Sequence, residues 1–476
     1  MREKLAPVWL LAQRELKDQF RDWRILFPLI VLTFIFPPLM NLTAAEAAAF
    51  ANQYGGELIL DRLVPFSILI IGFFPVTVSL VVALESFVGE KERGTIEPLL
   101  GTPFLDWQLY LGKFLVGIFF PLLASYASIG FYLFMVSKQD LTLPPIGLMV
   151  QLLMLAAAHA FLMVSGAIVI STQSTSVRAA NLLASFIVMP VAILIQGESV
   201  LVFWGNDQHL WLAIAAVLIM AALLIRVGIA HFQREFLLGR EVDSFNLKWI
   251  WKIFSGAFFG EARSLLKWYQ IQIGASLRKL KTPLLLLVLV TVFGSIASYR
   301  YTSAIIPAEF NEFTQDEIDD AMGEFQIAAG LPSDETEISF SFIFLHNIQA
   351  VLVMLFFGLL SFGILGELAF LVNIGVLGAL FAVLDSFGLP ALDLFLAGIL
   401  PHGIFEIPAI IFAGAAMLYF GAVLVTPDPS KTMGEVFIHA LADWFKVGVG
   451  IVLPLLFIAA LIETYITPQI LLQVMQ

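Results

Sequence analysis

Long apolar runs separated by short polar punctuation follow one another along the whole chain. A helix needs ~20 apolar residues to cross a hydrocarbon core of ~30 Å. Runs of that kind occur at about 25–42, 64–86, 110–136, 146–171, 180–203 and 209–230, then at about 283–299, 342–364, 368–386, 403–425 and 447–466. The expected fold is all-α: a polytopic transmembrane helical protein of about 11 spans, six followed by five. Residues 388–400 are apolar but too short to cross, and are expected to be interfacial or re-entrant.

Two further segments are amphipathic. Trp9, Ala12, Leu16, Phe20, Trp23 and Phe27 recur at helical spacing, with Arg14, Lys17, Asp18, Arg21 and Asp22 off that face. From about Ser244 to Lys281, Trp249, Ile250, Ile253, Phe254 and Trp268 interleave with Lys248, Lys252, Arg263, Lys267, Arg278 and Lys281. Basic and aromatic interleaving also suits nucleic acid, but beside two spans it reads as a pair of interfacial helices on the lipid bilayer, with no nucleic-acid partner.

Composition agrees with the span count. Of 476 residues, 60% are hydrophobic and 13% charged, and mean hydropathy is +0.93; a soluble domain carries about 25% charged residues. The absence of cysteine excludes disulfides, thiolate metal sites and thiol catalysis. Residues 1–24 show no cleavable signal peptide, so the first span is expected to act as an uncleaved anchor.

Charge sets the expected orientation. Of the 25 lysines and arginines, all but Arg62, Lys138 and Arg300 fall on the side that carries the N-terminus, which the positive-inside rule assigns to the cytoplasm. Eleven spans then put the C-terminus outside. The formal charge of -12 is concentrated in the loop at 300–340, from Glu309 to Glu337, expected outside. Its acids lack the EF-hand pattern of oxygen ligands around a turn glycine, and a solvated acidic loop is the simpler reading.

The loop after the second span carries the first distinctive motif: Glu85-Ser-Phe-Val-Gly-Glu-Lys-Glu-Arg-Gly-Thr-Ile-Glu97, then Pro-Leu-Leu-Gly-Thr-Pro103. Glu90, Lys91, Glu92 and Arg93 cap a long helix and Gly94 breaks it. Thr95 is suited to N-cap a short new helix, with Glu97 near its N-terminus where the dipole favours an anion. A plain solvated turn is the competing reading; a short, rigid, charged helix is something a soluble motor can grip.

On this loop, the preceding amphipathic helix and the six-span topology, residues 1–240 resemble the permease subunit of ABC-type exporters, the class that includes the sodium-exporting NatB-like permeases. The run Phe232-Gln-Arg-Glu-Phe-Leu-Leu-Gly-Arg240 is similar to the family's usual ending. The resemblance implies an elbow helix at the N-terminus. It implies an ATPase-coupling loop comprising Glu90, Glu92, Arg93, Gly94, Thr95, Glu97 and Pro103. It also implies an ABC ATPase partner and a homodimer, or a heterodimer with another permease. Nothing in the chain matches Gly-x-x-x-x-Gly-Lys-Ser/Thr; Gly112-Lys113 is followed by Phe114. The chain is therefore expected to have no catalytic residues and no cofactor or metal of its own, with ATP and magnesium on the partner.

The second half, 282–476, is joined to the first by the connector 241–281. It contains Phe344-Leu-His-Asn347, Asn373-Ile-Gly375 and Leu400-Pro-His-Gly-Ile-Phe-Glu406. Small residues from Gly403 to Ala416 let helices approach closely in lipid, and His402 and Glu406, four apart, share a helical face. These runs resemble the stage II sporulation protein M family, with a departure at Asn-Ile-Gly, where adjacent Asn-Gly is usual. His346, Asn347, Asp385, His402 and Glu406 are expected at one depth near the outer interface, as a polar membrane site or as a purely structural helix entry. In the first six spans His159 is the one central titratable group expected, as a packing hydrogen bonder.

The expected function is thus the permease of an ATP-driven exporter in a prokaryotic cytoplasmic membrane, with an accessory membrane domain. The alternative is a non-transporting scaffold that couples an ATPase to cell-envelope or cell-wall remodelling enzymes. An ion-coupled carrier using His402 and Glu406 is a third reading, weakened because the two halves do not repeat each other.

Overall fold

The computed structural model describes residues 2–54, 57–139, 141–174, 176–204, 207–230, 247–305, 339–386, 390–426 and 433–475. Among these every regular element is helical, and the protein is a polytopic all-α membrane protein. Among the described residues ten helical stretches are long and apolar enough to cross a membrane. The eleventh expected span, 180–203, is broken: Val177–Leu183 and Ser185–Phe203 meet at Ala184, and the apolar part of the second piece, Ile187–Phe203, is shorter than the rest. The acidic run from Glu309 to Glu337 and the Phe232–Arg240 run lie outside the described residues. The chain divides into two compact units, Met1–Phe245 and Asn246–Leu424 with Asp428–Gln476.

In the first unit the N-terminal helix α1 (Arg2–Gln19) is followed by α2 (Trp23–Phe34) and α3 (Phe36–Tyr54), whose apolar stretch Trp23–Phe50 is interrupted at Ile35. Asp22 caps α2 by accepting from the Arg24 amide. Pro37 and Pro38 follow the break at the start of α3, where the missing amide donors cost no helical hydrogen bond. Helix α4 (Glu57–Glu92), α5 (Ile96–Leu100), α6 (Asp106–Val136) and α7 (Ile146–Gln173) come next, then α8 (Val177–Leu183), α9 (Ser185–Phe203) and α10 (Leu210–Ala230). Helix α4 packs most extensively on α7 and α6. Small residues permit this, since lipid supplies no hydrophobic drive between helices. Ser125 donates to the Gly72 carbonyl at 2.6 Å, and Ala156 lies against the same glycine.

Helix α1 packs on α6, with Leu11 against Gly112; Val8, Leu11 and Ala12 are buried, while Trp9, Leu10 and Phe20 are exposed. The face that includes Trp9 and Phe20 is the one expected to meet lipid, and Ala12, assigned to it from the periodicity, instead turns inward.

The second unit begins with the connector, as α11 (Leu247–Phe259), α12 (Leu265–Trp268), a π turn (Tyr269–Ile273) and α13 (Gly274–Lys279). Long helices follow: α14 (Lys281–Ile305), α15 (Phe340–Leu360) and α16 (Ile364–Ser386). Then come α17 (Ala391–Gly398), α18 (Leu400–Leu424), α19 (Met433–Val447), α20 (Leu453–Tyr465) and α21 (Thr467–Met475). The short apolar stretch is an eight-residue helix, α17, too short to span. The last span begins earlier than expected, because α19 continues through a π turn at Gly448–Val452 into α20.

The connector packs on α19 as well as presenting exposed aromatics: Phe254 meets Phe445, the Trp268 indole donates to the Phe258 carbonyl, and Tyr269 donates to the Gly450 carbonyl. Asp443 on α19 accepts from Lys446 at 2.8 Å and from Lys279 at 2.6 Å. Burial disfavours the Lys279 ammonium, but the Asp443 carboxylate outweighs it and holds this lysine above its ordinary range. Between α15 and α16 the chain reverses through Phe362 and Gly363, both at positive φ, and the Phe362 carbonyl faces Gly421 of α18 so closely that only a residue without a side chain fits there.

Candidate functional site

Helix α4 has 36 residues, about 54 Å at 1.5 Å per residue, so it outruns a hydrocarbon core and carries the charged motif on its last turns. Those turns end in a Schellman motif. The Thr95 amide donates to the Glu90 carbonyl at 2.9 Å and the Gly94 amide to the Lys91 carbonyl at 3.1 Å, with Gly94 at φ +68°. Thr95 sits at the N-cap position of α5 but makes no side-chain cap there. Its hydroxyl turns back to the Glu90 carbonyl at 3.4 Å. The expected N-cap is corrected: Thr95 closes the helix before it, because the Schellman turn points its hydroxyl toward the free carbonyls of α4.

The neighbouring charges clamp this corner. Lys91 donates to the carbonyls of Thr172 and Ser174, each at 3.0 Å, closing the end of α7. Glu92 accepts the Val177 amide at 2.8 Å at the start of α8, where a helix N-terminus favours an anion. One lysine and one glutamate thus hold the end of one helix and the beginning of the next. Within α5, Ile96, Leu99 and Leu100 are buried, whereas Glu97 and Pro98 are exposed, as are Arg93, Gly94 and Pro103. Glu97 lies in the first turn of α5, as its position in the sequence predicts.

Glu90 departs from the expected exposed surface. It is 6% exposed and faces Lys113 of α6 at 3.2 Å. Lys113, with a side chain 1% exposed, also meets Glu15 of α1 at 3.2 Å, donates to the Ser86 carbonyl at 2.7 Å and lies over the Phe87 ring. Three acceptors match the three donors of an ammonium. Glu90 is therefore part of an internal joint between α1, α4 and α6, and not a contact surface. A polar cavity of about 160 Å³ adjoins the joint, lined by Glu15, Asp18, Asp22, Glu85, Glu90 and Arg93 among others. Glu15 and Lys113 were missed as partners because they lie far apart in sequence.

A second missed group is Glu198 on α9, 3.4 Å from Nε2 of His159 on α7, with both side chains 2% exposed. His159 Nδ1 is 2.9 Å from the Leu155 carbonyl. The expectation that His159 stands alone among titratable groups in the first six spans is overturned: Glu198 reads as an end-of-span residue in the sequence, and helix packing turns it inward.

In the second unit His402 and Glu406 share a face of α18, with Nε2 to Oε2 at 3.9 Å. Glu463 of α20 joins them. The other three expected members do not. Asp385 is exposed and accepts from the Tyr299 hydroxyl at 2.7 Å. His346 is exposed and stacks on Phe342 one turn away. Asn347 is half-buried on α15 with its amide nitrogen unpaired among the described residues. Similar depth does not make side chains converge; rotation about each helix axis decides it.

Residues 9–205 match the model of the ABC-2 family transporter protein family, and residues 284–468 match that of Stage II sporulation protein M. The chain is also similar to a probable ABC transporter permease protein, NosY, of Pseudomonas aeruginosa, 34% identical over 112 residues. A protein of the same description from Stutzerimonas stutzeri is 32% identical over 111 residues. Each alignment covers 23% of this chain and 38% of the relative, so the chain spans well under half the length of the curated relatives it matches.

Proposed function

Starting from an ABC-2 family transporter domain at 9–205 and a Stage II sporulation protein M domain at 284–468, we infer that the chain is the transmembrane permease subunit of an ATP-driven exporter in a prokaryotic cytoplasmic membrane. ATP and magnesium are held by a separate ABC ATPase. That motor grips α5 from the cytoplasm, and the permease works as a homodimer or with a second permease.

The observation that carries this reading is the mounting of α5. Glu97 and Pro98 face out from a five-residue helix whose other side is buried, at the end of a helix much longer than a bilayer is thick. Lys91 and Glu92 tie that corner to α7 and α8, and the Glu15–Lys113–Glu90 joint ties it to α1 and α6. A push on α5 is thereby passed to several spans at once, which a solvated turn does not do.

The test is co-purification from the native host, followed by ATPase assay with Arg93→Glu and Glu97→Lys together. The expected result is a stably folded permease that loses the ATPase or its coupling; normal binding and coupling removes the role. A second reading, a membrane scaffold coupling the ATPase to envelope-remodelling enzymes, is favoured by the Stage II sporulation protein M match over 284–468. Transport of a substrate into everted vesicles by the purified complex separates the two.

A further inference from the structure

We propose that His402, Glu406 and Glu463 form a binding site for a divalent first-row transition metal ion, zinc in the first instance, within the second unit.

Three observations carry it. First, one ligand atom from each of the three residues lies within 4.8 Å of the others. A metal held at about 2.1 Å by such donors sets them roughly 3–4 Å apart, so a small side-chain adjustment closes the group on an ion. His402 and Glu406 stand at i and i+4 on α18 and Glu463 comes from α20, so the site is held by two helices that pack directly on each other. Metal sites in helix bundles are built in this way, from side chains on facing helices.

Second, His402 Nδ1 lies 3.2 Å from the Thr467 hydroxyl. A hydrogen on Nδ1 that donates to Thr467 leaves the lone pair on Nε2, the nitrogen facing Glu406. Metal-bound histidines are oriented by this kind of outer hydrogen bond. Thr467 begins α21, which packs on α17 and on α20.

Third, two carboxylates meet here with no lysine or arginine paired to either among the described residues. Like charges in a partly buried place are costly without a cation. The His402 and Glu406 side chains are 12% and 23% exposed and Glu463 is half-buried, so the group is neither sealed nor open to bulk solvent. One imidazole and two carboxylates suit zinc, manganese, iron or cobalt better than calcium or magnesium, and three protein ligands leave a fourth position for water or a partner's side chain.

The test uses the full-length protein in detergent, stripped with a chelator and dialysed against zinc chloride, with metal counted per chain. Wild type is expected to retain one zinc. His402→Asn, Glu406→Gln and Glu463→Gln are each expected to bind at least about tenfold more weakly. Wild type that retains no stoichiometric zinc, or variants that bind as wild type does, overturn the proposal. If those variants lose their monodisperse elution, His402→Cys replaces them, since it keeps a donor in place. The chain has no cysteine, so a thiolate-to-metal charge-transfer band on adding cobalt to this variant places the ion at 402, and its absence overturns the assignment.

Discussion

The Glu198 carboxyl stands 3.4 Å from Nε2 of His159, and no other partner meets that nitrogen or either Glu198 oxygen among the described residues, while His159 Nδ1 faces the Leu155 carbonyl. Two spans of the first unit are therefore joined by a pair that water does not reach. Removing one partner leaves the other buried and unsatisfied, which costs about 1–3 kcal/mol, whereas replacing both by apolar groups is often nearly neutral. His159→Leu is expected to lower the thermal midpoint in detergent strongly, and His159→Leu with Glu198→Leu to recover most of it. A double variant as unstable as the single one would show that the pair is not what ties α7 to α9.

Gly94 has open space where a side chain would go, so its requirement is conformational alone. At φ +68° an L-residue costs about 1–2 kcal/mol. Gly94→Ala is expected to destabilise by that amount and to loosen the corner before α5, while Gly94→Asn costs less. Protease sensitivity between α4 and α6, compared across the two variants, reads the loosening directly.

Lys113 pairs with two carboxylates on two different helices. Lys113→Met strands Glu90 and is expected to cost about 3–5 kcal/mol; adding Glu90→Gln should restore part of it. The same variant should free α1 from α6, seen as faster hydrogen exchange at Val8–Ala12. Unchanged exchange there would mean that the apolar contacts of Leu11 with α6 suffice without the ion pair.

Orientation is checked by single cysteines in the cysteine-free chain. Ser341 precedes the first buried turn of α15, and Lys248 lies on the exposed side of α11. An impermeant thiol reagent on intact cells is expected to label Ser341→Cys and to spare Lys248→Cys until the membrane is opened. The reverse pattern would invert the whole topology.

The polytopic helical class, ten of the eleven expected spans and both motif-bearing regions were legible in the sequence. Crossing a bilayer depends on local composition over ~20 residues, which needs no partner. The Gly94 break was legible for a similar reason, since backbone conformation at one residue is a local property. The Thr95 cap was assigned to the wrong helix, because either helix end offers it an acceptor or a donor within one turn.

What the tertiary structure alone decided is which polar side chain faces which. Glu90 turned from surface to joint, Glu198 turned to His159, and Glu463 displaced His346, Asn347 and Asp385 as the companion of His402 and Glu406. A helix in water announces its buried face by amphipathic periodicity. A helix in lipid is apolar on all sides, because the lipid-facing and the packed faces are both dry. Its rotation is set by small residues such as Gly72 and Ala156 letting one backbone approach another, and that information exists only once the helices are packed.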